Sequence, residues 1–325
     1  MGFIISQSLY FIIPLLVVAL AGLYAEKSGT INIALEGIMV MGALSGVLFL
    51  YFVQRVWKVS FFINNPQILL MIALLVAGIT GIIFSALLGF LAIKMRADQT
   101  IGGTAINLLA AALVIYLSKS IVNDTRVYFD SVFELKLNVL GNNIFNYVLF
   151  HHAFLTTYIG IIILVISLIL FKYSKFGLRL SACGEHPQAA QSAGINVIKY
   201  RWLGVLISGF LAGMGGLIYV IPTSGSFDGT VSGYGFLALA VLIFGQWKPL
   251  RILLAATFFG LFKALSVVYF SIDFIQAWVD AMPNVPLAMI FRMLPYIATM
   301  VILAITSRKS RAPKASGIPF NPSAS

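Results

Sequence analysis

Long apolar runs limit what this chain can fold into before any motif does. They occur near residues 4–24, 31–53, 68–94, 101–118, 153–171, 199–221, 250–270 and 286–306, with a shorter one at 234–246. A helix rises about 1.5 Å per residue, so about 20 apolar residues cross the hydrocarbon layer of a bilayer. Within that layer the backbone must satisfy itself, and runs of this length select the helix. Sixty per cent of the 325 residues are hydrophobic and ten per cent charged, too little polar surface to solvate a soluble fold. The expectation is an all-α polytopic membrane protein with about 8–10 transmembrane helices. The run at 234–246 is too short to span alone and reads as a broken or re-entrant half-helix, whose free backbone groups must face protein or water.

Charge then orders the ends of these runs. The net charge is +11, but the positive residues stand beside the apolar runs rather than on one soluble face. That pattern fits the positive-inside bias of membrane proteins and argues against nucleic acid as a partner. Lys172, Lys175 and Arg179 precede a polar loop at about 172–201, which closes with Lys199 and Arg201; Arg308, Lys309, Arg311 and Lys314 mark the tail. Loop and tail are both expected on the cytoplasmic side. Residues 119–146 mix Lys119, Arg126 and Lys136 with Asp124, Asp130 and Glu134, which suits an external segment. The N-terminus lies outside if all five runs before the loop cross and inside if one is broken, so the sequence leaves its side open. No Lys or Arg precedes Lys27, so the first run reads as a retained span rather than a cleavable signal. The chain divides into a membrane region, 1–306, and a basic tail, 307–325, whose Pro, Ser and Ala content reads as disorder.

Inside the polar loop, Pro187 suits the first position of a helix and Gly194 the left-handed residue just past its end. A two-turn helix is expected there, either a plain connector or a docking element. Three further polar clusters lie where a membrane chain should avoid them. Glu26, Lys27, Ser28, Gly29, Asn32 and Glu36 open the second run, and Glu36 is the outlier, because an ionisable residue in a span costs at least a few kcal/mol. It is either a structural carboxylate bonded to backbone N–H groups of a broken helix or part of a translocation path. The stretch Arg96–Asn107 offers Asp98 or Thr100 as a helix cap, with Asn107 two turns inside and able to bond a neighbouring helix or a solute. Ser232-Gly233-Tyr234-Gly235-Phe236 precedes the short run and repeats the Ser-Gly interruption of Ser28-Gly29. Paired interruptions point to a midplane site in repeat-built transporters.

The sequence also excludes several chemistries. It has no Walker-A loop, so it does not itself cradle ATP phosphates by that means. With His151, His152 and His186, one cysteine and no HExxH pattern, neither a zinc site nor an intramembrane metalloprotease is supported, and no disulfide can form within the chain. No catalytic residues, metal ligands or bound cofactors are expected.

The run Glu26-Lys27-Ser28-Gly29-Thr30-Ile31-Asn32-Ile33-Ala34-Leu35-Glu36-Gly37 resembles the Glu-Arg-Ser-Gly-Val-Ile-Asn-Ile-Gly-Leu-Glu-Gly signature of ABC-importer permeases of the branched-chain amino acid and simple-sugar superfamily, with Lys27 for Arg. Gly184-Glu185-His186-Pro187-Gln188-Ala189-Ala190 through Gly194-Ile195-Asn196 is similar to that superfamily's cytoplasmic coupling loop, where Asn commonly stands at the place of His186. Gly233–Ala240 and Phe244–Pro249 are similar to its late motif, and the match runs from about residue 8 to 306. More narrowly, the chain resembles the nucleoside branch, which works with basic-membrane-protein-type lipoprotein receptors.

The resemblance implies a type II importer-like permease in the cytoplasmic (inner) membrane of a prokaryote. Its implied partners are ABC ATPase subunits holding ATP and Mg, a second permease that is a paralogue, and an extracytoplasmic substrate-binding lipoprotein. Gly184, Glu185, Pro187, Ala189, Ala190 and Gly194 would form the ATPase-coupling element. Asn32, Glu36, Asn107 and Phe236 would line the nucleoside pathway, Phe236 being available to stack on a base. A simple-sugar permease, or an ion-coupled transporter using Glu36, remains the alternative.

Overall fold

The computed structural model describes residues 2–130, 133–135, 153–268 and 312–321, with isolated helical positions at 289, 293, 297, 300 and 304. In chain order the helices are α1 (Gly2–Lys27), α2 (Leu35–Tyr51, prolonged by a π-turn over Phe52–Val56), α3 (Ser60–Asn64), α4 (Pro66–Gly89, prolonged over Phe90–Lys94) and α5 (Gln99–Val122). There follow α6 (Leu155–Tyr173), α7 (Lys175–Glu185), α8 (Pro187–Ser192), α9 (Val197–Thr223), α10 (Tyr234–Phe244) and α11 (Pro249–Val268). Among the described residues, α1, α2, α4, α5, α6, α9 and α11 are long and apolar enough to cross a membrane. The chain is thus an all-α, multi-pass membrane protein. The expected span at 286–306 falls outside the described residues apart from those isolated helical positions.

Two strand pairs lie between helices: β1 (Val127–Tyr128) runs antiparallel to β4 (Ser226–Phe227), with Val127 opposite Phe227, and β2 (Glu134–Leu135) pairs with β3 (Ala153–Phe154). The pairing of β1 with β4 holds the exits of α5 and α9 at one end of the bundle.

The core forms around α1 and α9. Leu15 to Ala21 have no exposed surface, as expected of a helix that is apolar all round. α9 packs on α1, α2 and α4, and it approaches them closely because small residues face the contact. A Cβ on Gly81 of α4 would stand 2.1 Å from Gly209 O, and one on Gly42 of α2 would stand 2.4 Å from Gly213 O. By contrast α4, α5 and α6 expose large apolar side chains such as Ile79, Leu108 and Ile162, a surface suited to lipid.

Two ends of the bundle can be told apart. A Cβ on Gly184 in α7 would meet Lys27 O at 2.5 Å, so α1 ends against the α7–α8 loop. Its 26 residues extend about 39 Å, which puts its start at the opposite end and resolves the side the sequence left open relative to the loop.

The short seventh segment is broken rather than re-entrant. From β4 at one end the chain passes through irregular residues 228–233, becomes α10, and delivers Trp247 to Glu26 at the end of α1, where Trp247 Nε1–H donates to Glu26 Oε2 at 2.6 Å. Left-handed Ser232 (φ 54°) and Gly233 (φ 77°) delay the helix until Tyr234.

The disorder expected of the tail does not hold over 312–321. Ala315 N–H donates to Gly184 O at 2.8 Å and Gly317 N–H to Gly29 O at 3.3 Å, and Phe320 is 9% exposed. Composition missed this because the tail borrows an apolar surface from the bundle instead of building its own core.

Candidate functional site

Two interrupted segments meet inside the bundle. After α1 the chain turns at Gly29 (φ 94°), a left-handed position suited to glycine, and passes through irregular residues 30–34 to α2. Side chains from neighbouring helices occupy the backbone groups this gap exposes. Ile31 N–H donates to Gln99 Oε1 at 2.7 Å, Gly37 N–H donates to Asn107 Oδ1 at 2.7 Å, and Asn107 Nδ2–H donates to Ile33 O at 2.9 Å. Asn107 therefore acts as a replacement strand of backbone for the start of α2. Asp98 caps α5, accepting from Thr100 N–H at 2.7 Å and Ile101 N–H at 3.1 Å, and these bonds hold its carboxyl below the usual carboxylate range.

Glu36 sits in the first turn of α2 and reaches the start of α10. Its Oε1 accepts from Gly233 N–H at 2.9 Å and its Oε2 from Gly235 N–H at 2.6 Å. Both donors belong to a helix N-terminus, where N–H groups lack intrahelical partners and the dipole favours an anion. The close approach is possible because residue 235 is glycine: a Cβ there would stand 2.4 Å from Glu36 N.

All four residues assigned to a pathway lie at this junction: Asn32, Glu36 and Asn107 around residues 32–37, and Phe236 beside Gly235, with its backbone also bonded to the Glu36 carboxyl. Asn32 is fully buried, with Nδ2–H donating to Ser208 Oγ at 2.8 Å. Its Oδ1 has no hydrogen-bond partner among the described residues. Asn32 thus lines no open path in this conformation, because α9 covers it. Glu36 and Asn107 are committed to backbone groups. Phe236 is 51% exposed, so its side chain is the most open of the four.

The loop helix α8 has the form expected of it. Pro187 is its first residue and Gly194 is left-handed (φ 78°); Gly194 N–H donates to Gln191 O at 2.9 Å and Ile195 N–H to Ala190 O at 3.0 Å, a complete Schellman end. Its faces divide the six residues assigned to coupling. Ala189 and Gly194 are exposed, beside His186 and Gln188, and Glu185 is half-buried. Gly184, Pro187 and Ala190 turn inward, so the six residues divide between the inner and outer sides of the loop. Ala190 is 4% exposed and packs with Cys183, Val197 and Phe320. Burial in this small cluster pushes the Cys183 thiol up to about 11, against the opposing influence of Arg201.

Sequence reasoning missed Gln99, Ser208, Arg201 and Phe320. Gln99 and Ser208 flank or enter apolar runs and carry the same signal as Asn107. In sequence Arg201 reads as an orientation charge, yet it is 1% exposed in the second turn of α9; Phe320 carries no local signal.

The family described as the branched-chain amino acid transport system / permease component matches residues 4–305. The guanosine ABC transporter permease protein NupQ of Bacillus subtilis is 37% identical over 326 residues, covering 98% of this chain and 97% of that protein. The nucleoside ABC transporter permease protein NupC of Lactococcus lactis is 34% identical over 326 residues, covering 98% and 96%. A second Bacillus subtilis protein, the guanosine ABC transporter permease protein NupP, is 25% identical over 261 residues, covering 79% and 71%. No solved structure matches the chain. With the match extending across nearly all of its helices, the chain belongs to the branched-chain amino acid transport system permease family.

Proposed function

We propose that this chain is the membrane-spanning permease subunit of an ATP-binding cassette importer that moves nucleosides into the cell. The observation that carries this reading is the near full-length similarity to two permeases named for nucleoside and guanosine transport. Geometry supports the coupling half of it: α8 is a rigid two-turn helix presenting Gln188 and Ala189 outward, of the size and form that docks in a partner's groove. Lys27, Lys94, Arg96, Lys172, Lys175 and Lys199 lie at or beside the ends of helices that meet this loop or its neighbours, with Arg179 within α7, so by the positive-inside bias this end faces the cytoplasm and α1 starts outside.

On this reading ATP and Mg are held by separate ATPase subunits, and nucleotide-driven closure rocks the bundle through α8. A paralogous second permease completes the pore, as the presence of both NupQ and NupP in Bacillus subtilis suggests by analogy. An extracytoplasmic lipoprotein hands over the nucleoside, and Phe236 offers a ring face to its base. The inner membrane is the compartment this arrangement requires.

The test is uptake of radiolabelled guanosine by cells with and without the chain. Loss of uptake, with competition by unlabelled nucleosides but not by ribose, is the expected result. Competition by ribose alone would move the substrate to sugars, and unchanged uptake would overturn the reading.

A further inference from the structure

We propose that the C-terminal segment 312–321 is a strap that makes the loop helix α8 and the break between α1 and α2 move as one body, with Arg201 positioning it. The proposal rests on the permease reading above and assigns the path by which a push on α8 reaches Asn32 and Glu36.

The strap is attached at three places. Ala315 N–H donates to Gly184 O at 2.8 Å, at the end of α7. Gly317 N–H donates to Gly29 O at 3.3 Å, at the turn where α1 gives way to the irregular gap. Ile318 O accepts from Arg201 Nη1–H at 2.9 Å, on α9. A bare contact between Gly184 and Lys27 O thus becomes a hydrogen-bonded bridge from the coupling loop to the break.

Arg201 suits the junction because a planar guanidinium can donate to a carbonyl and stack on a ring at once. The Phe320 ring centroid lies 5.7 Å from its Cζ, within cation–π range. The guanidinium also presses on the break itself, since a Cβ on Gly29 would stand 2.9 Å from Nη2. The strap's own turn is fitted to the same place: Gly317 is left-handed (φ 81°), and a Cβ there would meet Ile31 Cδ1 at 2.8 Å, next to Asn32. Below this, Phe320 seals the cluster of Cys183, Ala190 and Val197 under α8. A displacement of α8 is therefore delivered to residues 29–32 by hydrogen bonds and packed side chains, and from there to the contact between Glu36 and α10.

Cys183 is the single cysteine of the chain and lies under Phe320, so it reports the strap directly. Phe320→Ala removes the seal, and Ala315→Pro removes the donor to Gly184; both positions lie outside the spanning helices. Maleimide labelling of Cys183 in membranes is expected to speed up about tenfold or more in each variant, as loss of a buried aromatic side chain would allow. In the assembled transporter, ATP hydrolysis should persist while nucleoside uptake per molecule of ATP falls about tenfold. Unchanged labelling in both variants would overturn the strap, and faster labelling with unchanged uptake per ATP would reduce it to a passive cover. A wild-type complex that hydrolyses ATP without importing nucleoside would instead sink the permease reading, while labelling would still report the strap.

Discussion

Glu36 and Gly235, 199 positions apart in sequence, are joined by a 2.6 Å hydrogen bond from the Gly235 N–H to Glu36 Oε2. A second bond, from Gly233 N–H, makes the carboxylate a clamp between the start of α2 and the start of α10. Each segment begins with an interruption that exposes backbone donors; Gln99 and Asn107 take those before and at α2, and Glu36 takes those at α10. Glu36→Gln keeps the size but turns an NH2 group toward one of the donors. Hydrogen bonds to a charged group are worth about 1.5–3 kcal/mol, so a loss of about 2 kcal/mol is expected, read as a lower midpoint of thermal unfolding in detergent. An unchanged midpoint would mean the charge does not hold the segments together.

Asn107 makes a sharper case because both ends of its amide are used. Asn107→Leu fills the space but strands Gly37 N–H and Ile33 O, each at a cost of about 1–3 kcal/mol. Asn107→Asp keeps the acceptor for Gly37 and opposes Ile33 O with a second oxygen, so it should destabilise as well. The check is the yield of folded, monodisperse protein. If Asn107→Asp proved as stable as the wild type, Nδ2–H would be irrelevant to the break.

These contacts mark the limit of what the sequence discloses. A run of about 20 apolar residues is a local property, and eight of the nine expected segments appear as helices. Caps are local too: Asp98, Pro187 and Gly194 could each be placed from neighbours two or three residues away. Glu36 was recognisable as an anomaly, but not its partners, which lie 197 and 199 residues on. The inward turn of Ala190 depends on Phe320, and nothing in a Pro- and Ser-rich tail signals that its one aromatic residue will cover a helix 130 positions earlier. Asn32 shows the converse limit, since a polar residue beside a span can face solvent or a serine on a neighbouring helix, and the sequence does not name Ser208.

Gly81 tests the close packing of α4 on α9. A Cβ at this position would stand 2.1 Å from Gly209 O, so Gly81→Ala must part the two helices. Overpacking of this kind costs about 1–3 kcal/mol. Gly225 has nothing within 4 Å of its Cβ position, so Gly225→Ala serves as the neutral control. Equal thermal stabilities for the two variants would contradict the approach of α4 to α9.

Cys183 gives the chain a pH dependence of known sign. Its thiol is pushed from an ordinary value near 9 up to about 11 by burial. Below the ordinary value it is neutral in both folded and unfolded chains and costs nothing. As pH rises toward about 11 the unfolded chain ionises first, so stability declines across that window. Alkylation should follow: in the native protein the rate stays low past pH 9, whereas a peptide thiol is already half ionised there. A native rate that tracked the peptide's would show the thiol to be solvated.

The two alanines of α8 separate docking from internal packing. Ala190 is buried against Cys183, Val197 and Phe320, so Ala190→Asp places an unpaired carboxylate in an apolar cluster and should open the loop, exposing Cys183 to maleimide. Ala189 is exposed on the outer face, so Ala189→Asp should leave Cys183 protected. If the outer face is what an ATPase grips, Ala189→Asp will weaken copurification of that subunit without changing labelling, because the added charge meets the partner rather than the fold. The reverse pattern, with Ala189→Asp harmless and docking lost only when Cys183 becomes reactive, would mean that the partner reads the shape of the loop and not the outer face of its helix.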